Sequence, residues 1–212
     1  MKKMFLSSSF KDVAALLPHF MDETLEGKTV SFIPTASILE SVTFYVEAGK
    51  KALQKLGMIV DEVELTALSP EEITRKLKSN NVIYITGGNT FFLLQTLRQT
   101  GADRLIVEHI EAGKLYIGES AGAMIVSPDI TYTKTMDDFK QMESLDYTAL
   151  KSVDFYPLPH YTNFPFKKSV EKIIAEYQFD LKLCPISNAQ AILVRGEDVR
   201  ITDKKLGEVP FK

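Results

Sequence analysis

Gly118-Glu119-Ser120-Ala121-Gly122 places a hydroxyl nucleophile between small residues, directly after the apolar run Leu115-Tyr116-Ile117. The pattern is G-x-S-x-G. Glycines on either side allow a sharp turn that lifts the serine hydroxyl clear at a strand end, and the N–H that follows can help hold an oxyanion. The plainer reading of the same residues is a tight turn in which the serine only caps a helix. A serine also needs a base, and the chain has three histidines. His160 lies 40 residues downstream in a loop with Pro157 and Pro159. It is the candidate base, against the reading of an ordinary loop histidine. His19 follows Pro18 near a helix end, where a dipole contact accounts for it. His109 stands among Glu108 and Glu111 and reads as part of a solvated helix face.

An oxyanion hole needs a second backbone donor. Gly88, in the turn after Val82-Ile83-Tyr84-Ile85, can supply one, because a missing side chain permits close approach to a substrate. Gly87-Gly88-Asn89-Thr90 could also cradle a phosphate at a helix N-terminus. It lacks a P-loop lysine and the G-x-G-x-x-G spacing, which weakens that reading. The single cysteine, Cys184, precedes Pro185 in an apolar stretch and reads as buried and structural. One cysteine and three histidines leave few soft metal ligands, and no metal or organic cofactor is expected.

These groups need a scaffold, and the chain alternates strand-like and helix-like segments. Apolar runs at Lys3–Ser8, Val30–Ile33, Met58–Leu65, Val82–Ile85 and Leu115–Ile117 read as strands. The intervening segments carry helical spacing: Phe10 to Leu17, Leu39 to Leu56, Phe91 to Leu97 and Asp103 to Ala112. Ser69-Pro70-Glu71-Glu72 is a helix start, with Ser69 and Glu72 forming a capping box and Pro70 at the first helical position. Repeated βα units imply a parallel sheet with helices on both faces, whose functional groups gather beyond the carboxyl ends of the strands. Both glycine turns lie there. Further along, Asp129 to Lys151 is polar and partly loop. Phe155 to Asn163 is a strand entering a loop, and Pro165 to Tyr177 is helical. Ala191–Arg195 and Val199–Thr202 read as a hairpin around Gly196-Glu197-Asp198. With no repeat or linker, residues 1–212 are read as one domain.

Composition sets outer bounds. Hydrophobic residues are 45% of the 212, enough for a sizeable core without disulfides. A net charge of −3 argues against nucleic acid as a ligand, since no excess of cations is present to neutralise phosphates. No run approaches the ~18 consecutive apolar residues of a membrane span. The apolar start after Lys2-Lys3 is too short for a secretory signal, so no membrane partner is expected and the location is expected to be cytoplasmic. Monomer and homodimer both stay open.

Three ordered motifs then carry a resemblance. They are Thr86-Gly87-Gly88-Asn89-Thr90-Phe91, Tyr116-Ile117-Gly118-Glu119-Ser120-Ala121-Gly122-Ala123, and Pro159-His160-Tyr161-Thr162-Asn163. Together they resemble peptidase family S51, which includes aspartyl dipeptidase (dipeptidase E) and cyanophycinase. The likeness runs from the first strand to about Arg195. It implies a three-layer α/β parallel-sheet domain of the class I glutamine amidotransferase-like, flavodoxin-like kind, and a serine hydrolase. It also implies Ser120 as nucleophile, His160 as base, and Gly88 and Ala121 as oxyanion-hole donors.

The chain departs from that pattern in three places. Where aspartyl dipeptidase has a Glu as third triad member, this sequence aligns Asn188. Ser187 and Gln190 are alternatives one or two residues away, and Asp129 or Asp154 could substitute from elsewhere. An asparagine can orient an imidazole by accepting its N–H but offers no full charge to the imidazolium. Glu119 stands where the dipeptidase has an aromatic residue. Its side chain either faces the pocket, against an acidic substrate, or faces away, solvated or ion-paired. The segment after Asn163 is shorter than in the dipeptidase, so substrate preference does not transfer. The expectation is a serine peptidase acting on short peptides. The alternatives are a hydrolase of a non-peptide amide or ester, and a catalytically weak binding or regulatory module that keeps the fold.

Overall fold

Along each inner strand, neighbouring side chains go to opposite cores. Met4 and Leu6 pack on one face of the sheet and Phe5 on the other. Ile83 and Ile85 part from Val82 and Tyr84 in the same way, and Tyr116 from Leu115 and Ile117. A strand apolar at every position therefore fills two layers, which is how a sheet covered on both faces is written in sequence. In the computed structural model, residues 1–140 and 146–203 are described in full and residues 207–210 by their backbone.

Five strands run parallel: β1 (Lys3–Ser7), β2 (Thr29–Ile33), β3 (Ile59–Glu62), β4 (Val82–Ile85) and β5 (Leu115–Glu119). Their spatial order is β1-β5-β4-β2-β3. Beyond β1 the sheet continues antiparallel through β8 (Gln190–Arg195), β9 (Asp198–Asp203) and β10 (Gly207–Pro210). A separate parallel pair joins β6 (Tyr156–Leu158) to β7 (Leu183–Pro185). The layer over Phe5, Phe32 and Tyr84 includes the short helices α1 (Phe10–Val13) and α2 (Leu17–Phe20), and α3 (Phe44–Lys55). The opposite layer holds α4 (Pro70–Ser79), α5 (Thr90–Thr100), α6 (Ala102–Glu111) and α7 (Ala121–Met124). Helix α8 (Lys167–Tyr177) packs through Val170 and Ile173 on Met124, Tyr132 and Leu158. The fold is a three-layer α/β sandwich with a mostly parallel sheet.

The capping box at Ser69 forms as read, with Ser69 Oγ accepting from the Glu72 N–H and Glu72 reaching back to the Ser69 N–H. The helix expected from Leu39 begins only at Phe44; residues 39–43 form turn and irregular backbone after the 3₁₀ turn Thr35–Ser37. Leu39 and Val42 fitted the helical spacing, yet they stand exposed at a cleft rim and anchor nothing in the core. The strand expected at Met58–Leu65 is confined to Ile59–Glu62. Of the stretch read as partly loop, residues 141–145 lie outside the described residues. The remainder carries a 3₁₀ turn at Thr131–Thr135 and one bridge between Asp129 and Thr148. Among the described residues no helix is long and apolar enough to cross a membrane.

Candidate active site

Strand β5 ends at Glu119 and α7 starts at Ala121, so the chain reverses at Ser120 alone. Ser120 has φ 49° and ψ −106°. A non-glycine residue held there costs ~1–3 kcal/mol, and the surroundings must fix it. They do so by closeness: a side chain on Gly118 would meet the carbonyl of Gly122, and one on Gly122 the carbonyl of Ile85. The Ser120 N–H also donates to the Ser7 carbonyl at 2.9 Å. The turn is tight because both flanking positions are glycine, and the hydroxyl is left pointing into the cleft.

Ser120 Oγ lies 2.9 Å from His160 Nε2, and His160 Nδ1 lies 3.1 Å from Asn188 Oδ1. The imidazole stacks on the Phe166 ring at 4.8 Å between centroids. Burial pushes its pKa below the ordinary histidine value, and the bond to Asn188 partly opposes the shift. His160 sits at φ 66°, in a loop tied down by backbone bonds from both sides. The Tyr161 N–H donates to the Ile186 carbonyl, and the Asn188 N–H donates to Asn163 Oδ1. Ser8, which the sequence reading passed over, completes the support. Its Oγ accepts the His160 N–H at 3.0 Å and donates to the Ile186 carbonyl at 3.0 Å. The clue lay in position, since Ser8 directly follows β1 at the carboxyl edge of the sheet.

The other candidates for the position behind His160 are engaged elsewhere. Gln190 Oε1 accepts the Ser187 N–H, and Ser187 Oγ accepts the Ala189 N–H, so both serve the local turn. Asp129 accepts from the Thr131 N–H and the Tyr156 hydroxyl, and Asp154 pairs with Lys182 at the surface. A base flanked by an amide can still hold one tautomer: Nδ1–H toward Asn188 leaves Nε2 free to take the serine proton.

Gly87 lies against Ser120, for a side chain there would begin 3.2 Å from Ser120 Cβ. Gly88 has φ 135°, and any side chain on it would meet the Ala36 carbonyl. Ala121 opens α7, so its N–H has no acceptor within the helix. Gly88 lines the same cleft as Ser120, and Ala121 follows it directly in the chain.

Two expectations are corrected here. Glu119 is neither solvated nor ion-paired. It is 3% exposed, its Oε1 accepting the Phe10 N–H at 2.8 Å and its Oε2 the Tyr84 hydroxyl at 2.7 Å. Burial raises its pKa to about 7, against the lowering by those two bonds. His109 is not on a solvated face. It is 5% exposed, with Nε2 at 3.0 Å from the Leu115 carbonyl, and burial lowers its pKa to about 4. For His109, acidic neighbours in sequence gave the wrong face, because helix geometry turns adjacent side chains apart. His19 is exposed in the last turn of α2, and Cys184 is buried with its thiol raised to about 12.

Around Ser120 opens a cleft of about 1010 Å³. Its floor includes Gly87, Ser120 and Asn188, and its rim includes Leu39, Phe44 and Phe164. Among the described residues no group of three or more His, Cys, Asp or Glu side chains is arranged to hold a metal ion. The chemistry that the arrangement offers is proton transfer from a hydroxyl to an imidazole beside backbone donors, which suits attack on a carbonyl.

The family model described as peptidase family S51 matches residues 4–202. An uncharacterized peptidase of Listeria monocytogenes is 58% identical over 200 residues, 94% of this chain and 97% of that protein. Peptidase E of Salmonella arizonae is 32% identical over 170 residues, 77% of this chain and 70% of that protein. A crystal structure of a candidate peptidase E protein from Listeria monocytogenes EGD-e, 58% identical, aligns with a TM-score of 0.90 over 96% of this chain and 98% of its own. A peptidase from an acI-B1 Actinobacterium, 24% identical, shares the fold with a TM-score of 0.70 over 96% of this chain and 88% of its own. The glycine turns, the strained serine and the match across the sheet converge on one assignment: this chain belongs to peptidase family S51.

Proposed function

We propose that the protein is a serine peptidase that hydrolyses short peptides through an acyl-enzyme. The observation that carries this reading is the 2.9 Å approach of Ser120 Oγ to His160 Nε2 at the floor of an open cleft. In the proposed cycle His160 takes the proton of Ser120 as its oxygen attacks the scissile carbonyl. The N–H groups of Gly88 and Ala121 receive the oxyanion. His160 then protonates the leaving amine, and water repeats the sequence in reverse to release the acid. Asn188 keeps the ring in the productive tautomer. The depressed pKa of His160 favours the neutral, basic form at lower pH than a solvent-exposed histidine would allow.

Labelling with a fluorophosphonate, followed by intact-mass measurement, tests the nucleophile. One adduct is expected in the wild type and none in Ser120→Ala. Labelling that survives in the variant overturns the assignment. A dipeptide library then tests the substrate. Ser120-dependent turnover of simple esters or amides with no peptide turnover replaces the peptidase reading by that of a non-peptide hydrolase. No labelling and no turnover leaves a module that keeps the fold without the chemistry.

A further inference from the structure

Ser120 and His160 stand 40 residues apart in the chain, and two consecutive residues at the end of β1 hold them both. The Ser7 carbonyl accepts the Ser120 N–H at 2.9 Å, and Ser8 Oγ accepts the His160 N–H at 3.0 Å. Together with the 2.9 Å approach of Ser120 Oγ to His160 Nε2, these bonds close a circuit through the Ser7–Ser8 peptide. The chain after Ser8 is pinned as well, because the Phe10 N–H donates to Glu119 Oε1 at 2.8 Å. Ser8 is therefore anchored on both sides to the segment that carries Ser120.

Ser8 is 2% exposed, and its hydroxyl works in two directions. It accepts from the His160 N–H, and its own hydrogen goes to the Ile186 carbonyl at 3.0 Å, with the Ser187 carbonyl at 3.2 Å. The residue after Ser187 is Asn188, whose Oδ1 lies 3.1 Å from His160 Nδ1. One hydroxyl thus holds both the main chain beneath the imidazole and the main chain that presents Asn188 to it.

These partners depend on Ser8 unequally. The Ile186 carbonyl also accepts the Tyr161 N–H at 3.0 Å. For the His160 N–H, Ser8 is the one acceptor among the described residues. Without the hydroxyl that N–H is left unpaired unless the residue moves or water enters. His160 is also at φ 66°, a conformation a non-glycine residue keeps only while its surroundings hold it. The loss of Ser8 Oγ is therefore expressed as displacement of the imidazole.

We infer that Ser8 is a positioning residue, whose hydroxyl keeps His160 within reach of Ser120 and Asn188 within reach of His160. The inference rests on the reading of Ser120 and His160 as nucleophile and base. Ser8 acts through the main chain of His160 and not on the reacting atoms. A displacement of about 1 Å in such a group costs ~10²-fold in rate.

The test follows fluorophosphonate labelling of Ser120 by intact mass in the wild type, Ser8→Ala and Ser31→Ala. Ser31 is the matched comparison. It is buried on β2, outside the cleft lining, and its hydroxyl donates to the Lys76 carbonyl at 3.3 Å and accepts from Asn80 Nδ2 at 2.9 Å. Ser8→Ala is expected to lower the maximal labelling rate ~10–10²-fold, while the probe concentration giving half that rate moves little. Ser31→Ala is expected to keep the wild-type rate even where its Tm falls as far. If Ser8→Ala does not fold, Ser8→Cys takes its place, since a thiol is a weak donor and acceptor, and a loss in the same direction is expected. A folded Ser8 variant that labels at the wild-type rate, or equal losses in the Ser8 and Ser31 variants, overturns the inference. Nitrogen-15 NMR of the His160 ring, assigned by its absence from His160→Ala, reads the placement with no reaction at all. At a pH where the ring is neutral, the wild type is expected to show one tautomer with its hydrogen on Nδ1, and the Ser8 variant a mixture. If the wild type takes no label, the serine mechanism fails and the ring signals decide on Ser8: a mixed tautomer in the variant supports the placement, and unchanged signals overturn it. Wild-type labelling that the Ser8 variants match leaves the mechanism standing and removes Ser8 from it.

Discussion

The two ends of strand β5 each bury a titratable side chain, and they are built differently. At the entering end, His109 of α6 reaches the Leu115 carbonyl with one nitrogen, while Nδ1 has no partner among the described residues. At the leaving end, Glu119 has both oxygens satisfied and the next residue is the strained Ser120. The first site is a local anchor of helix to strand. The second couples three segments, because Glu119 ties Phe10 and Tyr84 to the base of the Ser120 turn, and the same β1–α1 connection carries Ser8 to His160. Burial alone does not make a functional group; connection to a strained turn at the carboxyl edge of the sheet does.

The largest expected effect sharpens this contrast at Ser120. Ser120→Ala should abolish turnover to background, a loss of ~10³-fold or more, with the fold intact by circular dichroism. His160→Ala comes next. It should lower kcat by ~10²–10⁴-fold while KM moves little, since a general base acts in the transition state. A near-normal kcat on any verified substrate removes His160 from the mechanism.

Asn188→Ala removes one neutral hydrogen bond worth ~0.5–1.5 kcal/mol, so kcat should fall roughly threefold to tenfold. Asn188→Asp keeps the side-chain length and places a charge behind the forming imidazolium. It should match or exceed the wild type, and it should raise the His160 pKa, moving the acid limb of kcat/KM to higher pH. An alanine variant with unchanged kcat/KM makes Asn188 incidental.

The smallest effects are on stability, and they test the two ends of β5 against each other. His109 has a folded pKa of about 4 against an ordinary 6.5, so the unfolded chain binds more protons between those values. Stability from this group is present above pH 6.5 and is lost as pH falls, by up to about 3 kcal/mol. Glu119 has a folded pKa of about 7 against an ordinary 4.5, so the folded chain binds more protons in that window. Its contribution is present below pH 4.5 and is lost as pH rises toward 7, again by about 3 kcal/mol. The two slopes oppose each other across most of their range. Urea unfolding of the wild type between pH 5 and 6.5 should therefore show little dependence on these groups. Glu119→Gln should uncover a stability that rises with pH, and His109→Leu one that falls. Identical slopes in both variants and the wild type rule out this pairing.

Much of the scaffold was legible in the chain alone. Val82–Ile85 is apolar at every position because both faces are covered, and Ser69 with Glu72 caps α4 through short-range bonds that need no tertiary partner. Gly118 and Gly122 flank Ser120 because backbone crowding leaves no room for a side chain, so the tight Ser120 turn was written in local sequence. The spacing could not say which way a side chain would face once the layers closed. Leu39 and Val42 fitted a helix and became a cleft rim; His109 looked solvated and is buried, and Glu119, open between pocket and solvent, is buried against Phe10 and Tyr84. The support of His160 by Ser8, 152 residues away, joins distant parts of the chain that meet at Ile186, whose carbonyl accepts from both the Ser8 hydroxyl and the Tyr161 N–H. Sequence determined the strands, caps and glycine turns because their causes lie within a few residues. The lining of the cleft and the partners of His160 depend on long-range packing, which only the tertiary structure decided.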